Sequence, residues 1–104
     1  MVVLALLRRK DMYGYELVQG IADSSSGLLT TQEGSLYPVL YQLEDAGLIS
    51  QQRIKVGKRM HRVYYHLGPA GLQRLEALTR EYQQITQAVL NIITEGGQLD
   101  ETRE

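Results

Sequence analysis

From Leu72 onward, apolar residues recur at Leu72, Leu75, Leu78, Tyr82, Ile85, Val89 and Ile92, stepping by 3, 3, 4, 3, 4 and 3. This near-heptad spacing lays one stripe along a helix of roughly 25 residues, about 37 Å long. The chain has only 104 residues, so what precedes the stripe is too small a body to cover it. An uncovered apolar stripe needs a partner, most simply a second copy of the chain, and the seven residues become the expected dimerisation face. Gly68 is a permissive cap and Pro69 suits the first helical position, so the helix is expected over residues 68–95. The polar run "EGGQLDETRE" that closes the chain predicts a disordered tail over 96–104.

Upstream, the apolar run Val2 to Arg8 reads as a short helix ending in the basic triplet "RRK". Asp11 is the expected N-cap of a second helix running to about Asp23, with Tyr15, Val18 and Ile21 facing inward. "DSSSG" stops it. Thr30-x-x-Glu33 matches a capping box for a third helix, and Gly47 suits the left-handed position just past its end. Leu48–Val56 and Arg59–Leu67 then read as two strands around "VGK", with Val63, Tyr65 and Leu67 alternating against Arg62, Tyr64 and His66. The expected fold class is mostly α with a β-hairpin: a winged helix-turn-helix over residues 1–67, followed by the long dimerisation helix.

The third helix carries the two residues helices tolerate least. Leu36, Val39, Leu40 and Leu43 form its apolar side, while Gly34 and Pro38 fall on the opposite stripe with Tyr41 and Asp45. Glycine has no side chain and proline only a compact ring, so that face is low enough for another body to approach closely. Ser35, Tyr37 and Tyr41 flank it with hydroxyl groups. Pro38 also lacks the N–H that would bond the Gly34 carbonyl. The plainer reading is that Pro38 sits early in a helix starting near Ser35. A low, hydroxyl-rich helix followed by a basic hairpin is nevertheless what a winged helix-turn-helix presents to DNA.

Charge supports the same partner. Net charge is −1, yet Gln51–Gly68 holds Arg53, Lys55, Lys58, Arg59 and Arg62, two histidines and no acid. A local field of that kind outweighs a near-neutral total for a polyanionic ligand. A basic run can also be ordinary solvated surface; its place on a hairpin after a helix-turn-helix pattern favours nucleic acid.

Other classes of function lose ground on composition. There is no cysteine, which excludes disulfides and thiol chemistry. His61 and His66 are five apart on one strand and face opposite sides, so they cannot share an ion. No metal or cofactor is expected. No acid–base pair, phosphate loop or activated nucleophile points to an enzyme. No apolar run approaches the ~20 residues of a membrane span. The first residues put the apolar run before the basic ones, opposite to a signal peptide, so a cytoplasmic protein is expected. Besides a DNA-binding regulator, the fold leaves open a protein–protein interaction module that docks a partner on helix three.

Three stretches carry a resemblance. "YGYEL" (13–17), "GSLYPVLYQLEDAGLIS" (34–50) and "RMHRVYYHLGPAGLQRL" (59–75) are similar, in order and spacing, to the motifs of the PadR family of bacterial transcriptional regulators. The resemblance spans about residues 2–95 and fits the short subfamily with one C-terminal helix. It implies a homodimer that binds inverted-repeat operators on double-stranded DNA, usually as a repressor, and releases them when a small aromatic or hydrophobic effector binds. It places Gln32, Ser35, Tyr37, Pro38 and Tyr41 in the major groove, and Lys55, Lys58, Arg59 and His61, with neighbouring Arg62, on the wing. An effector pocket at the dimer axis would draw on Leu7, Val89, Ile92 and Ile93, although the same residues would serve equally as a closed seam. The chain departs from the family pattern at Gly68, where threonine is usual, at Tyr41, where lysine is frequent, and at His61 and Val63.

Overall fold

The computed structural model describes residues 1–102, with side-chain detail for residues 1–95. Its order is α1 (Val2–Arg9), β1 (Met12–Tyr13), α2 (Gly14–Ser24), α3 (Glu33–Asp45), β2 (Ile49–Lys55), β3 (His61–Leu67) and α4 (Pro69–Thr102). The radius of gyration is 18.6 Å, against about 13 Å for a compact chain of this length. The excess comes from α4, which stretches the molecule to 72 Å.

In α1 the buried residues are Val3, Leu4, Leu6 and Leu7, the one-three-four spacing that makes a single helical face. Arg8 and Arg9 occupy its last turn, where positive charge complements the helix dipole. The chain then turns extended at Lys10 and forms β1. This strand is absent from the sequence reading, which expected a two-stranded hairpin. It pairs antiparallel with β3 through Met12 opposite Tyr65 and Tyr13 opposite Tyr64, so the sheet runs β1-β3-β2.

The start of α2 is therefore set by Tyr13, not Asp11; the Glu16 carboxylate accepts the Tyr13 backbone N–H at 3.3 Å. Starting there moves the phase of the helix. Gly14, Leu17 and Ile21 are buried and Val18 packs alongside, whereas Tyr15, expected inside, is 53% exposed. Two glycines let α2 approach its neighbours. A Cβ on Gly14 would stand 2.8 Å from the Tyr37 hydroxyl of α3, and one on Gly20 would stand 3.2 Å from Leu6 of α1.

Between α2 and α3, Ser25 organises the turn. Its hydroxyl donates to the Ile21 carbonyl at 2.7 Å and accepts the Leu29 N–H at 2.9 Å. The expected capping box at Thr30 does not form: α3 begins at Glu33, and Gln32 holds the N-cap position without a side-chain capping bond. Leu36 and Leu40 are buried with Leu43 beside them, while Val39, assigned to the apolar side, is 42% exposed. At the other end Gly47 takes φ +74°, its N–H bonds the Glu44 carbonyl at 2.9 Å, and the Leu48 N–H bonds the Leu43 carbonyl at 3.0 Å. That pair of bonds is a Schellman stop, as Gly47 predicts.

The hairpin forms in full register from Ile49 opposite Leu67 to Lys55 opposite His61. Its loop is longer than the "VGK" turn expected, spanning 56–60 and closed by the Val56 N–H on the Met60 carbonyl at 2.8 Å, with Gly57 at φ +89°. Leu48, Ile49, Tyr65, Met12 and Leu75 close the core against the helices. Pro69 opens α4 as expected. The helix continues to Thr102, past the boundary expected at residue 95. Gly96 and Gly97 weaken a helix by about 1 kcal/mol each relative to alanine without removing its hydrogen bonds. Residues 103–104, the end of the expected tail, lie outside the described residues.

Candidate nucleic-acid interface

The outer face of α3 is as low as its sequence predicts. Pro38 is the sixth residue of α3, two residues deeper than a start near Ser35 would place it. A Cβ added to Gly34 would meet nothing within 4 Å, so internal packing gives no reason for a glycine there. Gln32, Ser35, Pro38 and Tyr41 are exposed alongside it, Tyr41 to 61%. Tyr37 differs. It is half-buried, packs on the core beside Gly14, and donates its hydroxyl to the Glu33 carboxylate at 3.4 Å. Burial, then the Glu33 charge, raises its pKa above the ordinary tyrosine value, so the group remains a donor. Its ring anchors the helix and also lines the cleft between α3 and the wing.

On the wing, Arg53, Lys55, Lys58, Arg59, His61 and Arg62 are all exposed. Lys10 pairs with Glu16, and the His66 ring Nδ1 lies 2.8 Å from Asp11 Oδ1, leaving the wing cations without a carboxylate among the described residues. Lys55 stands opposite His61 and Ile54 opposite Arg62, so the basic side chains divide between the two faces of the hairpin. Arg62 lies with its guanidinium carbon 4.4 Å from the centre of the Tyr13 ring, and Tyr13 meets Tyr64 edge to face at 5.4 Å. Sequence pattern could not find Tyr13: its partners come from a strand pairing remote in the chain. The α3 and wing groups flank one open cleft of about 520 Å³, lined in part by Tyr13, Tyr15, Glu33, Tyr37, Tyr41 and Arg62.

The seven residues of the α4 stripe separate into two groups. Leu75 is 2% exposed and Leu78 is partly buried, both packing on the chain's own body, and Leu72 lies at 37%. Tyr82, Ile85, Val89 and Ile92 are 48–70% exposed. Thus Leu75 is a core residue, and the uncovered part of the stripe starts at Tyr82. The four effector-pocket residues do not meet within one chain. Leu7 is sealed at 3% exposure, while Val89, Ile92 and Ile93 lie bare on the distal half of α4. An apolar cleft of about 510 Å³ lies between α1, the α2–α3 turn and α4, lined by Met1, Val2, Leu6, Ile21, Leu29 and Tyr82 among others. Among the described residues, no group of three or more His, Cys, Asp or Glu is placed to hold a metal ion, and no helix is long and apolar enough to cross a membrane.

A low-faced second helix of a helix-turn-helix, a basic wing beside it and a projecting rod define a winged helix-turn-helix of the kind found in transcription regulators. The sequence profile of the transcriptional regulator PadR-like family matches residues 3–77, and the chain belongs to that family. This makes it a regulator rather than an enzyme. It is 30% identical to the transcriptional regulator YqjI of Escherichia coli over 86% of its own length, and spans 41% of that protein. A transcriptional regulator from Clostridium thermocellum has the same structure with TM-score 0.75 and 30% identity, covering 86% of this chain and 84% of the other. Bacillus subtilis PadR, solved in complex with operator DNA, shares the fold with TM-score 0.70 at 24% identity, over 75% of this chain and 44% of that one.

Proposed function

We propose that the chain is a cytoplasmic homodimeric repressor that binds an inverted-repeat operator in double-stranded DNA. The observation that carries this is the open space over Gly34 and the exposed Pro38, beside a wing whose cations have no acidic partner among the described residues. Gln32, Ser35, Tyr37, Pro38 and Tyr41 meet the major groove; Lys55, Lys58, Arg59, His61 and Arg62 meet phosphates or the adjoining minor groove. The second copy covers Tyr82, Ile85, Val89 and Ile92. That Bacillus subtilis PadR, which shares the fold, was solved in complex with operator DNA supports DNA as the partner.

Each phosphate neutralised contributes roughly −0.9 to the slope of log K against log salt, so a dimer with about eight contacts gives a slope near −7. A gel-shift series on the DNA upstream of the chain's own gene reads that slope, and salt-insensitive binding sinks the proposal. Arg59→Ala is expected to weaken operator and unrelated duplexes alike and to flatten the slope by about 2 for the dimer. A loss confined to the operator would instead assign Arg59 to base reading.

The effector is a small aromatic or hydrophobic compound that enters between protomers, where Val89, Ile92 and Ile93 supply apolar surface. A thermal-shift series with planar aromatic compounds is expected to raise the melting temperature for at least one. No shift across the series leaves those residues as a closed seam.

A further inference from the structure

Tyr13 stands where three elements join. It is the last residue of β1, the cap from which α2 starts, and the cross-strand neighbour of Tyr64 on β3. Its backbone N–H is fixed by Glu16 at 3.3 Å, and its ring meets Tyr64 at an interplanar angle of 74°. Arg62 precedes Tyr64 by two positions and so projects from the same face of β3. Its guanidinium lies over the Tyr13 ring at 4.4 Å. Among the described residues no carboxylate lies within salt-bridge distance of Arg62.

A guanidinium held over a ring by its central carbon uses none of its N–H donors in that contact, and leaves them for the fork that matches two phosphate oxygens. An unstacked arginine on an exposed wing must give up its rotamer freedom when it binds; a stacked one has already done so. We infer that Tyr13 is a positioning residue for DNA binding: its ring holds Arg62 with the donor edge turned to a backbone phosphate at the cleft between wing and α3. Because Tyr13 also begins α2, the same stack ties the wing to the helix-turn-helix. This inference rests on the DNA-binding reading above.

The test is a double-mutant cycle by fluorescence anisotropy on a labelled duplex carrying the region upstream of the gene. Tyr13→Leu and Arg62→Gln are each expected to weaken binding about tenfold for a dimer. In the Arg62→Gln background, Tyr13→Leu adds nothing beyond about twofold, because coupled residues are not additive. Tyr13→Phe keeps the ring and binds like the parent chain. Arg62→Gln flattens the salt slope by about 1.8 for the dimer. The inference is overturned if Tyr13→Leu costs as much without Arg62 as with it, if Tyr13→Phe is as damaging as Tyr13→Leu, or if Arg62→Gln leaves the slope unchanged. Should Tyr13→Leu fail to fold by circular dichroism, the Tyr13→Phe affinity and the Arg62→Gln slope still decide the matter. Failure of the parent chain to bind any duplex rejects the DNA-binding reading itself, before any variant is compared.

Discussion

A chain carrying Ile85→Glu and Val89→Glu together is expected to sediment as a single protomer and to lose operator affinity by about a thousandfold. Within one chain these side chains are 57% and 48% exposed, so the protomer gives up little packing; surface changes usually stay within about 0.5 kcal/mol. Across an apolar seam the outcome is different. Four carboxylates, two from each copy, would leave water without a cationic partner, at a cost of several kcal/mol each. A dimer holds two reading helices on two half-sites, and losing that linkage removes an advantage of about 10²–10⁴. Analytical ultracentrifugation and gel shift on the same samples check both halves. A double variant that remains dimeric would show that the rods do not join through this stripe.

Gly71→Ala is expected to lower stability by about 2 kcal/mol, the middle of the range for forcing extra volume into a packed site. The new Cβ would collide with the Leu48 carbonyl oxygen and lie 2.6 Å from Leu67 Cδ1. A backbone carbonyl cannot swing aside as a side chain can, so the first turn of α4 must lift from the body. Alanine's better helix propensity, about 1 kcal/mol over glycine, offsets only part of this. In a domain this size the melting temperature should fall by roughly 10 °C. Gly34→Ala makes the control: its Cβ meets nothing within 4 Å, so it should leave the melt unchanged or raise it. A Gly71→Ala melt matching that control would rule out the close approach of α4 to Leu48, the residue just before β2.

Features written in a short stretch of chain were legible before the structure. Gly47 stops α3 because one left-handed residue suffices. Pro69 and Gly68 begin α4 by a rule confined to two positions, and the hairpin follows from alternation on either side of Gly57. What escaped the sequence depends on contacts between distant segments. "DMYGYEL" reads locally as a capped helix start, and only pairing with Tyr64 and Tyr65 makes Met12–Tyr13 a strand. That pairing delays α2 and turns Tyr15 outward. It also brings Tyr13 beneath Arg62, so a wing residue read as a bare cation proves to be stacked. On α4 the periodicity was readable, but it could not say where the chain's own body ends; burial of Leu75 and exposure of Tyr82 draw that line.

The burial of Gly71 and Leu75 fuses the rod rigidly to the module that carries α3. In a pair joined along the exposed stripe, the arm from the middle of the stripe, between Ile85 and Val89, back to Pro69 is about 27 Å long at the helical rise of 1.5 Å per residue. Tilting one rod against the other by about 7° would carry its reading helix some 3.4 Å along the duplex, the spacing of one base pair. Small changes of angle at the axis would thus be enough to put the two halves out of step with their half-sites.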